Sequence, residues 1–371
     1  MSCTHCNTFF NRTRRINLKQ EIDMSRITSR VRPIAAACAA FFLLAGTASA
    51  DVTVISFGGS NQKAQAKAFY DPYVKATGGK IIPGEYNGEQ AKIKAMVEAK
   101  NVSWDVVEVE SPELARGCEE GLYEKLDMSK IGPKADFVPA SLSPCGIGIF
   151  VWSTIIAYNA DTLKTAPTSW ADFWDLKKFP GKRGMRKGAK FTLEFALIAD
   201  GVMVDDVYKV LGTKAGVERA FKKLDQIKSS IQWWEAGAQP PQLLAAGDVV
   251  MSTAYNGRIA TAQKEGKNLK MVWANNIYDF DSWGIPVGTP NKEEAYKFIA
   301  FASKPENQKT FSGEIPYGPT NLKGTALVDK AIIPELPTAP QNMKGALASN
   351  TPFWVEHGED LEQRFNAWAA K

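Results

Sequence analysis

The sequence predicts an α/β protein of two lobes, preceded by an export leader. Three observations carry this. The 371 residues amount to about two domains at roughly 100–200 residues each. Strand and helix patterns alternate once the leader is past, which is the rhythm of an α/β domain. A long extended segment from Gly146 to Asn159, rich in Ile, Val and Trp, carries the chain from one lobe to the next. The expected division is 1–50 leader, 51–157 first lobe (completed by about 283–330), 158–282 second lobe and 331–371 C-terminal helical tail.

The leader is read from three features in order. Arg26, Arg30 and Arg32 form a basic cluster. Ile34 to Leu44 is an apolar run too short to span a bilayer. Ala48-Ser49-Ala50 then supplies small residues where a signal peptidase reads, so cleavage is expected after Ala50. The pattern starts at Met24 as well as at Met1, and both remain open as the true start. Of 45 Lys/Arg and 40 Asp/Glu, the leader holds seven and two, which leaves 38 of each in the exported part. A balanced charge gives no footing for nucleic acid binding. Cys118 and Cys145 are the two cysteines left after the leader, and in an exported chain they are expected to form one disulfide.

Element by element, a strand is expected at Val52 to Phe57. The turn Gly58-Gly59-Ser60 and a helix carrying Ala64, Ala68 and Phe69 follow. Ile93, Met96 and Val97 mark a second helix, and Asp105 to Glu110 a short strand that ends in acids. Ser169 caps a helix with Trp170, Phe173 and Trp174 on its apolar face. Helices are expected over 192–230 and 239–246, and strands over 248–255, 269–273 and 281–287. Asn291 begins a helix that buries Ala295, Phe298, Ile299 and Ala302. The last forty residues are interrupted by proline and end in a short helix with Phe365 and Trp368.

Enzyme chemistry finds little purchase. Past the leader there is one histidine, His357, and no nucleophile elbow, phosphate loop or dinucleotide fingerprint. The acidic pairs Glu119-Glu120, Asp205-Asp206 and Glu293-Glu294 lie on polar helical stretches and read as solvated faces. The turn Phe57-Gly58-Gly59-Ser60, between a strand and a helix, is suited to offering backbone N–H groups to a polar ligand. Trp152, Trp234, Trp283, Tyr255, Tyr278 and Tyr317 fall at strand ends or turns. Aromatic walls with a few placed charges hold a small amine or amino acid. About half of the ten tryptophans, Trp170 and Trp174 among them, are expected in the core instead.

These residues resemble a family. Val54 to Ser60, Trp104 to Val107, Val151-Trp152 with Ala157-Tyr158-Asn159, and Thr168 to Trp174 carry the likeness first. Ala254 to Gly257, Asp281 to Pro286 and Ile315 to Asn321 extend it along the chain. Their order and spacing resemble the periplasmic spermidine/putrescine-binding proteins of ABC transporters. The resemblance implies the type II periplasmic-binding-protein fold, a solute held between two lobes, no catalysis and no cofactor or metal. It also implies a membrane permease as partner, a periplasmic location and a monomer.

Within that resemblance Phe57, Tyr255, Asp281 and Tyr317 match ligand-binding positions, while Gly59 stands where an acid is expected. The family's acidic pair after the second-lobe entry helix is absent; the region instead carries Arg186, Lys187 and Lys190. The resemblance makes a polyamine the first expectation. The residues leave a second open: an ω-amino acid such as 4-aminobutyrate, its amine on Asp281 and its carboxylate on Arg186 or Arg258. Glu235, beside Trp234, would restore a second acid for a polyamine, and Trp152, Gly59 and Ser60 complete the candidate set. A third expectation keeps the fold and binds an anion or metal.

Overall fold

A computed structural model describes residues 51–371; the expected leader and its cleavage point lie outside the described residues. The strands are β1 (Val52–Ser56), β2 (Ile81–Glu85), β3 (Val106–Glu110), β4 (Leu142–Ser143), β5 (Gly146–Asn159) and β6 (Arg183–Arg186). They continue with β7 (Ile231–Trp234), β8 (Met251–Tyr255), β9 (Leu269–Gly284), β10 (Gly318–Pro319) and β11 (Leu347–Ala348). They form one mixed sheet in the order β2-β1-β3-β9-β5-β8-β6-β7, with the three two-residue strands beside β5 and β9.

The topology follows from the lengths. Short apolar strands alternating with helices give parallel triplets at each end of the sheet: β2-β1-β3 and β8-β6-β7. The long strands β5 and β9 pair antiparallel and join the two triplets. Every residue of β5 is buried, as a strand covered on both faces must be. The β5–β9 register slips between Gly148 and Phe150, and again between Thr154 and Ile156. At the second slip β9 advances from Val272 to Ile277 against two residues of β5, and Asn275 takes a left-handed φ of 49°.

Segment Gly146–Asn159 is a strand over its whole expected length, and Gln239–Ala246 is a helix. Ser169 caps its helix, its hydroxyl accepting from the Asp172 N–H at 3.2 Å. Ala295, Phe298, Ile299 and Ala302 are buried along Lys292–Ala302. Cys118 and Cys145 form a disulfide with Cα atoms 5.8 Å apart, tying the end of helix Ser111–Glu119 to the start of β5.

Three expectations change. The strands expected at 269–273 and 281–287 are parts of one strand, Leu269–Gly284, because the polar run between them pairs with β5 and β11. Asn291 precedes its helix without capping it; its amide donates to the Asp51 carbonyl and to Asp105 instead. The final helix is long, Thr351–Ala369. The side chain of Asn350 accepts from Phe353 N–H at 3.0 Å to start it, and Phe353, Trp354, Leu361 and Phe365 are buried along it.

Candidate functional site

Strand β3 sets the electrostatics of the site. Its sequence VVEVE places Glu108 and Glu110 on one face and Val107 and Val109 on the other. All five residues are buried, so the two carboxylates need partners. Glu108 accepts from Asn61 at 2.8 and 2.9 Å, from Gln65 at 2.8 Å and from the Phe57 N–H at 3.2 Å. Glu110 accepts from Arg186 at 3.1 Å and from Lys190 at 2.5 Å; Lys190 also reaches Glu113 at 2.6 Å. Burial opposes ionisation of Glu110, but the Arg186 and Lys190 charges outweigh it and hold the carboxyl at about 2.

Asp281 lies opposite Glu110 across β3 and β9 and opposite Phe150 across β5 and β9. It is 5% exposed, and its Oδ1 accepts from the Trp152 indole at 2.8 Å. Burial, and then the charge of Glu108, push this carboxyl well above the usual range. Around it stand Trp152 and Tyr255, edge to face at 5.0 Å, and Phe150 and Tyr317, stacked at 4.7 Å. Burial also raises the Tyr255 and Tyr317 hydroxyls above their ordinary value, so both stay protonated as donors.

Arg258 faces the acids. It is 4% exposed and donates to the Gly58 carbonyl at 2.7 Å and the Phe57 carbonyl at 3.0 Å, with a longer contact to Ser60 Oγ at 3.4 Å. Its Nε–H is buried without a partner. The glycine turn makes this approach possible. Gly58 and Gly59 have φ of 61° and 59°, and a Cβ on Gly59 would fall 2.7 Å from the guanidinium. The turn therefore presents carbonyls to Arg258. The Phe57 and Gly58 N–H groups expected to face a ligand turn inward to Glu108 and, at 3.4 Å, to Ser56.

These side chains line one small pocket. Six sequence candidates line it: Phe57, Trp152, Tyr255, Arg258, Asp281 and Tyr317. Asn61, Glu110 and Phe150 complete the wall and were not singled out from sequence. Gly59 and Ser60 border the adjoining cavity on the far side of Arg258. Arg186 lines a smaller neighbouring pocket that shares Phe57 and Glu110. Glu235 lines neither pocket: it pairs with Lys187 at 3.0 Å, the two side chains 65% and 47% exposed, and so supplies no second acid. Trp234 packs on Tyr255 from behind, while Trp283 packs among Phe69 and Phe298 in the core. Tyr278 borders a larger cavity of about 500 Å³ near Ser111 and Asn350, which lacks opposed buried charges among aromatic rings. Among the described residues no group of three or more His, Cys, Asp or Glu could hold a metal ion.

A pocket with a buried carboxyl, an arginine and aromatic walls is a binding site without a nucleophile–base pair. Comparison with known proteins agrees. A gamma-aminobutyric acid-binding protein of Pseudomonas aeruginosa is 60% identical over 332 residues, covering 90% of this chain and 94% of that protein. The solved structure of a GABA receptor matches with a TM-score of 0.77 and 37% identity, over 86% of this chain and 98% of that one. The spermidine/putrescine-binding periplasmic protein of Escherichia coli is a more distant relative, 25% identical over 75% of this chain and 84% of its own length. The polyamine resemblance is thus genuine but remote. The description "bacterial extracellular solute-binding protein" matches residues 68–340, and the chain belongs to that family.

Proposed function

We propose that this solute-binding protein, the substrate-binding component of an ABC transporter and not an enzyme, takes a zwitterionic ω-amino acid of the 4-aminobutyrate class. The observation that carries the reading is one small pocket holding a buried carboxyl, Asp281, and a buried arginine, Arg258, whose Nε–H has no partner. The ammonium sits on Asp281 among Trp152, Tyr255 and Tyr317, where the rings add cation–π attraction. The carboxylate takes the free Nε–H of Arg258. The solute then brings one charge of each sign to a site that offers one partner for each.

Charge points the same way. A polyamine would set its further ammonium groups against Arg258, and the Glu110 carboxylate is already neutralised by Arg186 and Lys190. The homology to the P. aeruginosa protein supports the same choice.

Capture proceeds by closure of lobe 158–282 onto lobe 51–157, the latter completed by 283–330. The bending occurs in β5 and β9, and their register slips support this reading. The leader 1–50 delivers the chain to the periplasm, where it works as a monomer with a membrane permease; among the described residues no helix is long and apolar enough to cross a membrane. Titration calorimetry of residues 51–371 with 4-aminobutyrate, putrescine and spermidine tests the reading. Saturable binding of 4-aminobutyrate, at least about tenfold tighter than either polyamine, is expected. Preference for a polyamine refutes it.

A further inference from the structure

Lys190 is a lysine in surroundings that suit a free alkylammonium ion. Its side chain is 8% exposed, and its ammonium donates to Glu110 at 2.5 Å and to both oxygens of Glu113 at 2.6 Å. The ring of Phe191 lies 5.5 Å away, centroid to nitrogen. Two carboxylates and an aromatic face around one primary ammonium are the contacts by which a protein binds an amine. The acids come from β3 and the helix that follows it; the ammonium comes from 80 residues further along the chain. Arg186, from the same downstream segment, takes the other side of Glu110.

Glu110 is common to this cluster and to the Asp281 pocket. Glu110 and Asp281 are direct partners across β3 and β9, and such pairs have Cβ atoms about 4.5–5.5 Å apart. A diamine with one ammonium on Asp281 can turn the other toward Arg258, which repels it, or toward Glu110 and Glu113, where Lys190 already sits. We propose that Lys190 is a built-in surrogate for the second ammonium of a diamine: it fills an acidic subsite with the protein's own cation and so shuts out diamines and polyamines. This deepens, and rests on, the reading of the solute as an ω-amino acid. A competing ammonium must displace one that is tethered in place, or lie beside the Lys190 and Arg186 charges, and both disfavour it. Lys190 acts on specificity without touching the solute.

Lys190→Ala empties the subsite. Ethylammonium chloride is expected to raise the melting temperature of this variant beyond the effect of sodium chloride at equal ionic strength, and to leave the wild type unmoved. Tetramethylammonium, which has the charge but no N–H donors, is expected to give no such rise. The dissociation constant for putrescine should fall by roughly tenfold or more against the wild type. A folded Lys190→Ala protein that answers ethylammonium no more than sodium chloride overturns the proposal. If the variant does not fold in salt, refolding it in ethylammonium chloride reads the same subsite. Recovery in the amine alone supports the surrogate role; equal recovery, or none in either, overturns it. The ethylammonium readout needs no solute. A wild type that ignores 4-aminobutyrate would therefore refute the functional reading while the subsite test stood by itself.

Discussion

Asp281→Asn isolates the charge from the shape. In the free protein burial, and then the Glu108 charge, push the Asp281 carboxyl well above the usual range, which favours its protonated form before the solute arrives. Asparagine has nearly the form of that neutral acid, and its amide oxygen can still accept from the Trp152 indole, now at 2.8 Å. Stability without solute should therefore change by less than about 1 kcal/mol. Binding is different, because the solute ammonium needs a carboxylate in a dry pocket. Losing that partner costs about 3–4 kcal/mol, or roughly two to three decades in Kd. The sign of the pH dependence follows. Binding expels the Asp281 proton, so affinity rises with pH as long as the solute amine stays protonated. Calorimetry in phosphate and in Tris should give heats that differ by this proton release, and the asparagine variant should show none. An asparagine variant that binds 4-aminobutyrate within about threefold of the wild type, or equal heats in both buffers for the wild type, would refute the reasoning.

Other consequences concern stability. Burial raises Glu194, which accepts from Trp354 at 2.8 Å and Tyr208 at 3.1 Å, to about 7 from an ordinary 4.5. A raised acid stabilises the fold below its unfolded value and loses that contribution as pH climbs through the folded one, here on the order of 3 kcal/mol between pH about 4.5 and 7. Glu194→Gln, a stand-in for the protonated form, should raise the urea midpoint at pH 8 more than at pH 5; an equal effect at both would contradict this. Arg183 is fully buried and donates to the carbonyls of Phe173, Gly181, Asp175 and Phe179. Arg183→Met should cost at least about 3 kcal/mol in denaturant unfolding, since it strands several buried acceptors. Cys118→Ser opens a 27-residue loop and should cost about 2–4 kcal/mol, a loss that dithiothreitol reproduces in the wild type but does not deepen in the variant.

The long strand β5 and the pocket aromatics were legible because their signals are local. Gly146 to Asn159 is a long, mostly apolar stretch with Trp152 in it, and Tyr255 ends the apolar stretch of β8. Asp281 was legible through its resemblance context, Ser-Trp-Gly-Ile-Pro. Glu108 and Glu110 were not singled out, although VVEVE already placed both on one face. Acids in a strand read as a solvated edge until their partners are known, and those partners lie 47 residues before Glu108 and 76 and 80 residues after Glu110. The basic stretch from Arg186 to Lys190 shows why charge alone misleads: one lysine, Lys187, pairs at the surface and another is buried in the acid cluster. Glu235 looked suited to the site from its neighbour Trp234, but it lies just past the end of β7 and pairs with Lys187 at the surface. The break expected near residue 275 turned out to be a kink inside one strand, because β5 is long enough to pair on both sides of it.

The central claim is that one pocket reads both ends of a short zwitterion, and a crystal structure with 4-aminobutyrate bound tests it most directly. The account predicts the ammonium within hydrogen-bonding distance of Asp281 beside Trp152, and the carboxylate on Arg258 Nε, with Lys190 still held by Glu110 and Glu113. A solute bound in the reverse sense, or lodged in the larger cavity near Ser111 and Asn350, would contradict it.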